Sequence, residues 1–256
     1  MSYEEENLKR VNIILFDDFT ALDAFGPAEV FAKTEAGCDI RYYSRSGGAV
    51  TCSIQNKIET EKTDAIDRKD ILIIPGGIGT RRLVGDEDFI RKLKTLASES
   101  EYVLCACTGS ALLSKTGLLN GRKATSNKKA WEWVTAQNKN VHWIKEARWV
   151  VDGKYYTSSG ITAGIDMTLG FISDTVHRNA AKKIADVLDT YGIKTKISIR
   201  FVKMSAGLYI VVRNVLYFRL TKFPASYSVI PTDERRDTVS TNAVIPLRRR
   251  LHQEDV

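Results

Sequence analysis

Short apolar runs alternate with amphipathic stretches along the first three quarters of the chain. The runs are short and rich in Ile, Val and Leu, which is typical of strands buried on both faces of a parallel sheet. The stretches between them carry their apolar residues at helical spacing, as Phe89, Leu93 and Leu96 do within 86–98. This alternation predicts an α/β domain with a doubly wound, mostly parallel sheet and helices on both faces. Strands are expected at 11–16, 39–44, 70–75, 102–106 and 123–125, and helices at 24–35, 86–98, 128–135, 165–176 and 179–190.

Local signals add detail to this pattern. Asp152-Gly153 separates the apolar runs 148–151 and 154–157, and an Asp-Gly pair in that position indicates a β-hairpin. Pro27 suits the first turn of the helix at 24–35. Residues 50–58 read as short extended pieces.

Charge divides the chain into a balanced body and a basic tail. Residues 1–192 carry 26 Lys+Arg and 26 Asp+Glu, whereas residues 193–256 carry 12 and 5, which accounts for the net charge of +7. We expect an N-terminal extension at 1–10, one domain at 11–192 and an atypical tail at 193–256, formed by a strand or helix followed by disorder. A basic tail without a nucleic-acid module makes nucleic-acid binding an unfavoured interpretation.

The cysteines and the apolar runs indicate the cellular compartment and whether a cofactor is expected. The four cysteines are spaced neither as metal ligands nor as a disulfide framework, so we expect free thiols in a reducing, cytoplasmic location. The sequence has no run of 18 uncharged apolar residues, so no membrane span is predicted. Residues 1–10 are charged and lack the apolar region of a secretory signal. Nothing in the sequence implies a metal ion or an organic cofactor.

Cys107 is the sharpest candidate for chemistry, because it stands where a predicted strand runs directly into a helix. Backbone N–H groups and a helix N-terminus at such a junction favour a thiolate, which is the nucleophilic form of cysteine. The alternative is an inert core cysteine, which is the expected role of Cys105 two residues earlier.

Two further loops follow the carboxyl ends of predicted parallel strands, the edge at which such sheets bind ligands. Gly76 and Gly77 would let the backbone approach a ligand, and the Gly77 N–H could bind a developing anion. Asp23 could act as a general acid or base beside Cys107. The structural alternatives are a tight strand-end turn for the glycines and a helix N-cap for Asp23.

The remaining polar candidates read as structural. None of the histidines, His142, His177 and His252, lies near Cys107 in sequence, and no pattern makes one of them a base. Asp166 is expected to cap or pair near a helix start.

Four segments resemble the DJ-1/PfpI superfamily, the class I glutamine-amidotransferase-like group. They are LFDDFTALDAFGPAEVF (15–31), ILIIPGG (71–77), VLCACTGSALLSKTGLLNGRKAT (103–125) and YTSSGITAGIDMTLGFI (156–172). The resemblance covers about residues 10–190 and implies a flavodoxin-like fold, a homodimer and Cys107 as the nucleophile of a strand–helix elbow.

Residues around the elbow distinguish the branches of that superfamily. Thr108 stands where the peptidase-like branch has His, and the His-x-Glu pair of glutamine amidotransferases is absent. Asp23 stands where the DJ-1 and glyoxalase-like branches use Glu. This combination resembles the isonitrile hydratase branch. The ligand-sensing domains of some transcriptional regulators share it, but no helix-turn-helix pair is evident in the tail.

The resemblance implies hydration of a small-molecule isonitrile to an N-substituted formamide. Cys107 would attack the terminal carbon, Asp23 would protonate it, and the Thr108 hydroxyl and Gly77 N–H would position substrate or water. Relatives often have His where Asn127 stands, and because Asn is not a base, the chemistry would run on Cys107 and Asp23. The alternatives are a glyoxalase- or deglycase-like lyase acting on 2-oxoaldehydes and a non-catalytic redox or ligand sensor.

Overall fold

An eight-stranded sheet organises the chain in the computed structural model, which describes residues 8–190, 200–204, 207–212 and 215–220. Six neighbouring strands are parallel, and an antiparallel strand closes each edge. In the spatial order β3-β4-β2-β1-β5-β6-β10-β9, the strands are β1 (Arg10–Ile14), β2 (Asp39–Ser44), β3 (Gly48–Thr51), β4 (Lys57–Lys62), β5 (Ile71–Ile74), β6 (Tyr102–Cys105), β9 (Trp149–Asp152) and β10 (Tyr155–Ser158). The mostly parallel α/β fold is therefore confirmed.

The central strands are the most apolar part of the chain. Every residue of β1 and of β5 is buried, as expected for strands covered on both faces. β7 (Lys123–Ala124) and β8 (His142–Trp143) form a separate two-stranded pair. The Asp152-Gly153 turn joins β9 and β10 as the hairpin signal predicted, and Gly153 has a φ of +60°.

Helices pack together in two groups. One contains α1 (Ala21–Ala32), α6 (Ile161–Thr175) and α7 (Arg178–Val187), with α6 against both of the others. In the second group α4 (Gly109–Lys115) packs against α2 (Thr80–Leu83), α3 (Glu87–Glu99) and α5 (Trp131–Gln137). Asp86 caps α3 by accepting the Phe89 N–H at 3.0 Å. Across the described residues no helix is long and apolar enough to cross a membrane.

Two helix starts differ from the sequence-based prediction. α1 begins at Ala21, so Pro27 lies inside the helix rather than in its first turn. α6 begins at Ile161, four residues before the predicted start at 165. α1 and α6 approach closely, because a Cβ on Gly26 would lie 2.8 Å from the Ile165 Cγ1.

The tail contributes a three-stranded antiparallel sheet of β11 (Arg200–Met204), β12 (Gly207–Val212) and β13 (Val215–Leu220). The strand alternative for this part of the tail is therefore the correct one. The expected N-terminal extension falls mostly, and the expected disorder after 220 falls entirely, outside the described residues.

Candidate active site

Cys107 occupies a strained turn between β6 and α4. Its φ is +53°, in the left-handed region that residues with a Cβ seldom adopt. Its N–H donates to the Ser158 carbonyl at 3.1 Å, and its own carbonyl accepts the Ser126 hydroxyl at 2.9 Å. The turn also requires Gly109, where a Cβ would lie 2.3 Å from the Ile74 carbonyl oxygen. This geometry is that of a strand–helix elbow, and Cys107 keeps 7% of its surface exposed.

Asp23 comes to the same place from the first turn of α1. Its side chain is fully buried, and Oδ2 accepts the Gly76 N–H at 3.2 Å. Oδ1 has no hydrogen-bond partner among the described residues. The N-cap alternative for Asp23 is wrong, because Thr20 occupies the cap position and the Asp23 carboxyl instead interacts with the Cys107 thiol.

Burial shifts both groups toward their neutral forms. Desolvation raises the pKa of Asp23 to about 6, against the lowering effects of the Gly76 N–H and the Cys107 side chain. Desolvation, followed by the Asp23 charge, raises the pKa of Cys107 to about 12. Burial therefore favours the thiol form of Cys107 over the thiolate expected from the helix N-terminus.

The diglycine turn lies against Thr108, and the polar groups here form hydrogen bonds within the protein. The Gly77 N–H donates to the Thr108 Oγ1 at 3.0 Å, and the Thr80 hydroxyl lies 3.2 Å from the same oxygen. A Cβ on Gly77 would lie 2.3 Å from the Asp18 carbonyl oxygen, and one on Gly76 2.6 Å from the Thr108 nitrogen. The glycines thus make a tight strand-end turn. In this structure the Gly77 N–H and the Thr108 hydroxyl therefore bond to each other, and their expected role in binding substrate or water stays a prediction.

Sequence reasoning missed one contact to the sulfur. Asn127 Nδ2 donates to Cys107 Sγ at 3.2 Å. Asn127 cannot act as a base, as the sequence indicated, but its amide nitrogen can donate a hydrogen bond. The available signal was the residue type, because an Asn side chain readily accepts N–H groups a few residues ahead of it in a turn, as Asn127 does from Lys129 and Ala130.

Other candidates have structural roles. Asp166 pairs with Arg148, whose Nε lies 2.6 Å from Oδ2, as the expected pairing role required. His177 caps α7 by accepting the Ala180 N–H at 3.0 Å, and His142 is exposed on β8. His252 lies outside the described residues. Within the described part of the chain, no three His, Cys, Asp or Glu side chains are grouped as a metal ion would require.

A cysteine elbow, a buried carboxyl and a diglycine turn meet at the carboxyl edge of this parallel sheet. The sequence pattern of the DJ-1/PfpI family matches residues 9–174, which contain all three. The chain belongs to the DJ-1/PfpI family.

Proteins similar to this chain have several different activities. An isonitrile hydratase from Pseudomonas putida is 28% identical over 178 residues, covering 68% of this chain and 75% of the relative. A deglycase from Pyrococcus abyssi (strain GE5 / Orsay) is 33% identical over 153 residues, covering 58% of this chain and 89% of the relative. The crystal structure of DJ-1beta from Drosophila melanogaster shares the fold, with a TM-score of 0.62, 21% identity and coverage of 72% of this chain and 98% of that one.

Proposed function

We propose that this DJ-1/PfpI protein hydrates a small isonitrile to an N-substituted formamide without a cofactor. The observation that carries the proposal is Asp23, a buried carboxyl beside Cys107 with one oxygen unpartnered among the described residues and a pKa raised to about 6 by burial. An acid–base group is most effective when its pKa lies near the working pH. Such a carboxyl can both take the thiol proton and return it.

The first step adds the thiol across the isonitrile carbon. Asp23 accepts the Cys107 proton as the sulfur forms a bond to the terminal carbon of R–N≡C. The protonated Asp23 then gives that proton to the same carbon, on which negative charge has developed. The product is the thioimidate R–N=CH–S–Cys107, and Asp23 is a carboxylate again.

The second step adds water. Asp23 takes a proton from a water molecule as the water oxygen bonds to the thioimidate carbon, and Asp23 passes that proton to the nitrogen. The carbon–sulfur bond then breaks as the new hydroxyl oxygen forms the carbonyl, the hydroxyl proton passes through Asp23 to the departing sulfur, and R–NH–CHO and the Cys107 thiol are released. General acid–base assistance of this kind contributes about 10²–10⁴-fold to a rate.

The backbone donors around Cys107 support an isonitrile over an acyl substrate. Acyl transfer requires N–H groups free to bind a carbonyl oxyanion, whereas the N–H groups of Gly76 and Gly77 already have acceptors. Attack on an isonitrile places the developing charge on carbon, where Asp23 can neutralise it directly. A slender linear group also suits a sulfur with little exposure. The same features count against a peptidase or a glutamine amidotransferase.

A glyoxalase- or deglycase-like reaction on 2-oxoaldehydes is the second candidate, and the 33% identity to a deglycase favours it. The absence of free N–H donors at the glycines counts against it, because a 2-oxoaldehyde would form an oxyanion on attack. A redox sensor requires an accessible, acidic thiol, whereas burial raises the pKa of Cys107.

The proposal includes a cytoplasmic homodimer with a small-molecule substrate. All four cysteines of the chain are free thiols, which fits a reducing compartment. Leu22 on α1 and Ile161 on α6 are large apolar residues with 45% and 43% of their surfaces exposed, which fits an interface on this helix pair. Light scattering of the purified protein gives the oligomeric state directly.

Product analysis tests the reaction. The protein is incubated at pH 7.5 with a small aliphatic isonitrile or with methylglyoxal, and products are followed by proton NMR. We expect a formamide signal from the isonitrile, no lactate from methylglyoxal, and no turnover by Cys107→Ala despite an unchanged circular dichroism spectrum. Formamide production by Cys107→Ala, or lactate as the main product of the wild type, would overturn the proposal.

A further inference from the structure

The amide of Asn127 is fixed with its nitrogen toward the nucleophile. Its Oδ1 accepts the backbone N–H groups of Lys129 at 2.9 Å and Ala130 at 3.1 Å, while Nδ2 lies 3.2 Å from Cys107 Sγ. Only the amide oxygen can accept those two N–H groups. The two bonds to the amide oxygen form the turn before α5, and they also hold the NH₂ group against the sulfur.

The loop that carries Asn127 is anchored on both sides. The Ser126 hydroxyl donates to the Cys107 carbonyl at 2.9 Å, and the Thr125 N–H donates to the Thr157 hydroxyl at 2.9 Å. Lys128 Nζ donates to the Ala147 carbonyl oxygen at 2.8 Å. Thr125 and Ser126 are fully buried. The distance from the amide to the sulfur is thus set by the scaffold, as a catalytic donor requires.

Electrostatically, Asn127 acts against the other groups at the sulfur. Burial and the Asp23 carboxylate both disfavour negative charge there, whereas the Asn127 amide and the Thr108 N–H favour it. Hydrogen bonds to charged atoms are about twice as strong as neutral ones. The Asn127 contact therefore gains strength when the sulfur becomes an anion, and an amide neither gains nor loses a proton at neutral pH.

We propose that Asn127 is a catalytic residue that stabilises the Cys107 sulfur as a developing anion, both when it attacks and when it leaves. All proton transfer then falls to Asp23. The inference rests on the proposed function only in taking Cys107 as the nucleophile; it does not require an isonitrile as the substrate.

Asn127→Ser separates the donor from the turn. A serine hydroxyl accepts N–H groups in the same kind of turn, though more weakly, so the Lys129 and Ala130 N–H groups keep an acceptor, but its side chain is too short to reach the sulfur. The readout is the rate of Cys107 alkylation by iodoacetamide between pH 6 and 10, followed by mass spectrometry of the Cys107 peptide. We expect alkylation to slow about tenfold at every pH in this range, because a thiol pKa higher by about one unit lowers the thiolate fraction tenfold at any pH below it.

Asn138→Ser is the matched control. The Asn138 amide is also fixed by backbone bonds, with Nδ2 donating to the Ser114 carbonyl at 2.7 Å and Oδ1 accepting the Asn140 N–H at 2.9 Å. Its donor serves a backbone carbonyl rather than the sulfur, so the rate of Cys107 alkylation should match the wild type throughout this pH range. A purely structural effect of losing a loop amide would appear in both variants.

An Asn127→Ser variant that folds and alkylates at the wild-type rate throughout this pH range would overturn the proposal. If that variant does not fold, Asn127→Asp replaces it, since aspartate forms the same turn and places a like charge beside the sulfur. Alkylation of the Asp variant at the wild-type rate would likewise overturn it. Because alkylation needs no isonitrile, a failure to hydrate isonitriles leaves this test intact.

Discussion

At the scale of single residues, the candidate site is held in an unfavourable state by the rest of the fold. Cys107 has a φ of +53°, and Asp23 is a carboxyl with no exposed surface. Strained backbone and buried ionisable groups of this kind are concentrated at functional sites, where the surrounding structure pays for them. Removing the buried charge should therefore stabilise the protein while it removes activity.

Asp23→Asn tests this trade-off. The amide oxygen can still accept the Gly76 N–H. Because the folded-state pKa of Asp23 is raised from 3.8 to about 6, the contribution of Asp23 to stability is greatest below pH 4 and falls by about 2–3 kcal/mol as the pH rises through 6. We expect the variant to exceed the wild type by about that amount at pH 8 and to show no such gain at pH 3.5. Urea unfolding at both pH values measures it, and a variant less stable than the wild type at pH 8 would contradict the expectation.

Residue types alone could suggest Cys107 and Asp23, but not the state of either group. The acidity of a thiol depends on desolvation and on a neighbouring carboxylate, and both are set by distant parts of the chain that meet only in the fold. For the same reason the sequence did not predict that Asn127 contacts Cys107. Twenty residues of sequence separate it from the sulfur that its amide contacts.

At the scale of elements, periodicity predicted the central strands closely, because four-residue apolar runs such as β5 have few other ways to be buried. Helix starts were less predictable. Pro27 is predicted in a first turn, yet α1 begins six residues before it, and the helix predicted from 165 begins at Ile161. In both cases packing between α1 and α6 outweighs local propensity.

An ion pair fixes α6 to the end of the sheet, and its loss should be costly. Asp166 on α6 is buried and accepts from Arg148, whose side chain is 23% exposed. Arg148→Met leaves the carboxylate without its cation and should lower the free energy of unfolding by about 3 kcal/mol at pH 7. Adding Asp166→Leu should recover part of that loss, because no buried charge remains. Equal stability of Arg148→Met and wild type in urea would disprove this role.

At the scale of the whole molecule, the family match over residues 9–174 coincides with the electrostatically balanced body of the chain. Topology brings the first loop, the diglycine turn, the elbow and the Asn127 loop to one place from four separate parts of the sequence. The rule that ligands bind at the carboxyl ends of parallel strands predicted that Asp23, the diglycine turn and the elbow meet, but it did not predict the Asn127 loop. The three-stranded sheet formed by β11, β12 and β13 lies beyond the family match, so only its β-rich composition could suggest it.

The pH dependence of kcat/KM for isonitrile hydration, from pH 4 to 9, tests the central claim most directly. Asp23 must be ionised to accept the thiol proton, so activity should rise through about pH 6, where its raised pKa lies. Asp23→Asn should remove that rise together with most of the activity. A profile centred elsewhere and unchanged in Asp23→Asn, or no hydration at any pH, would contradict the assignment of Cys107 and Asp23 as an isonitrile-hydrating pair.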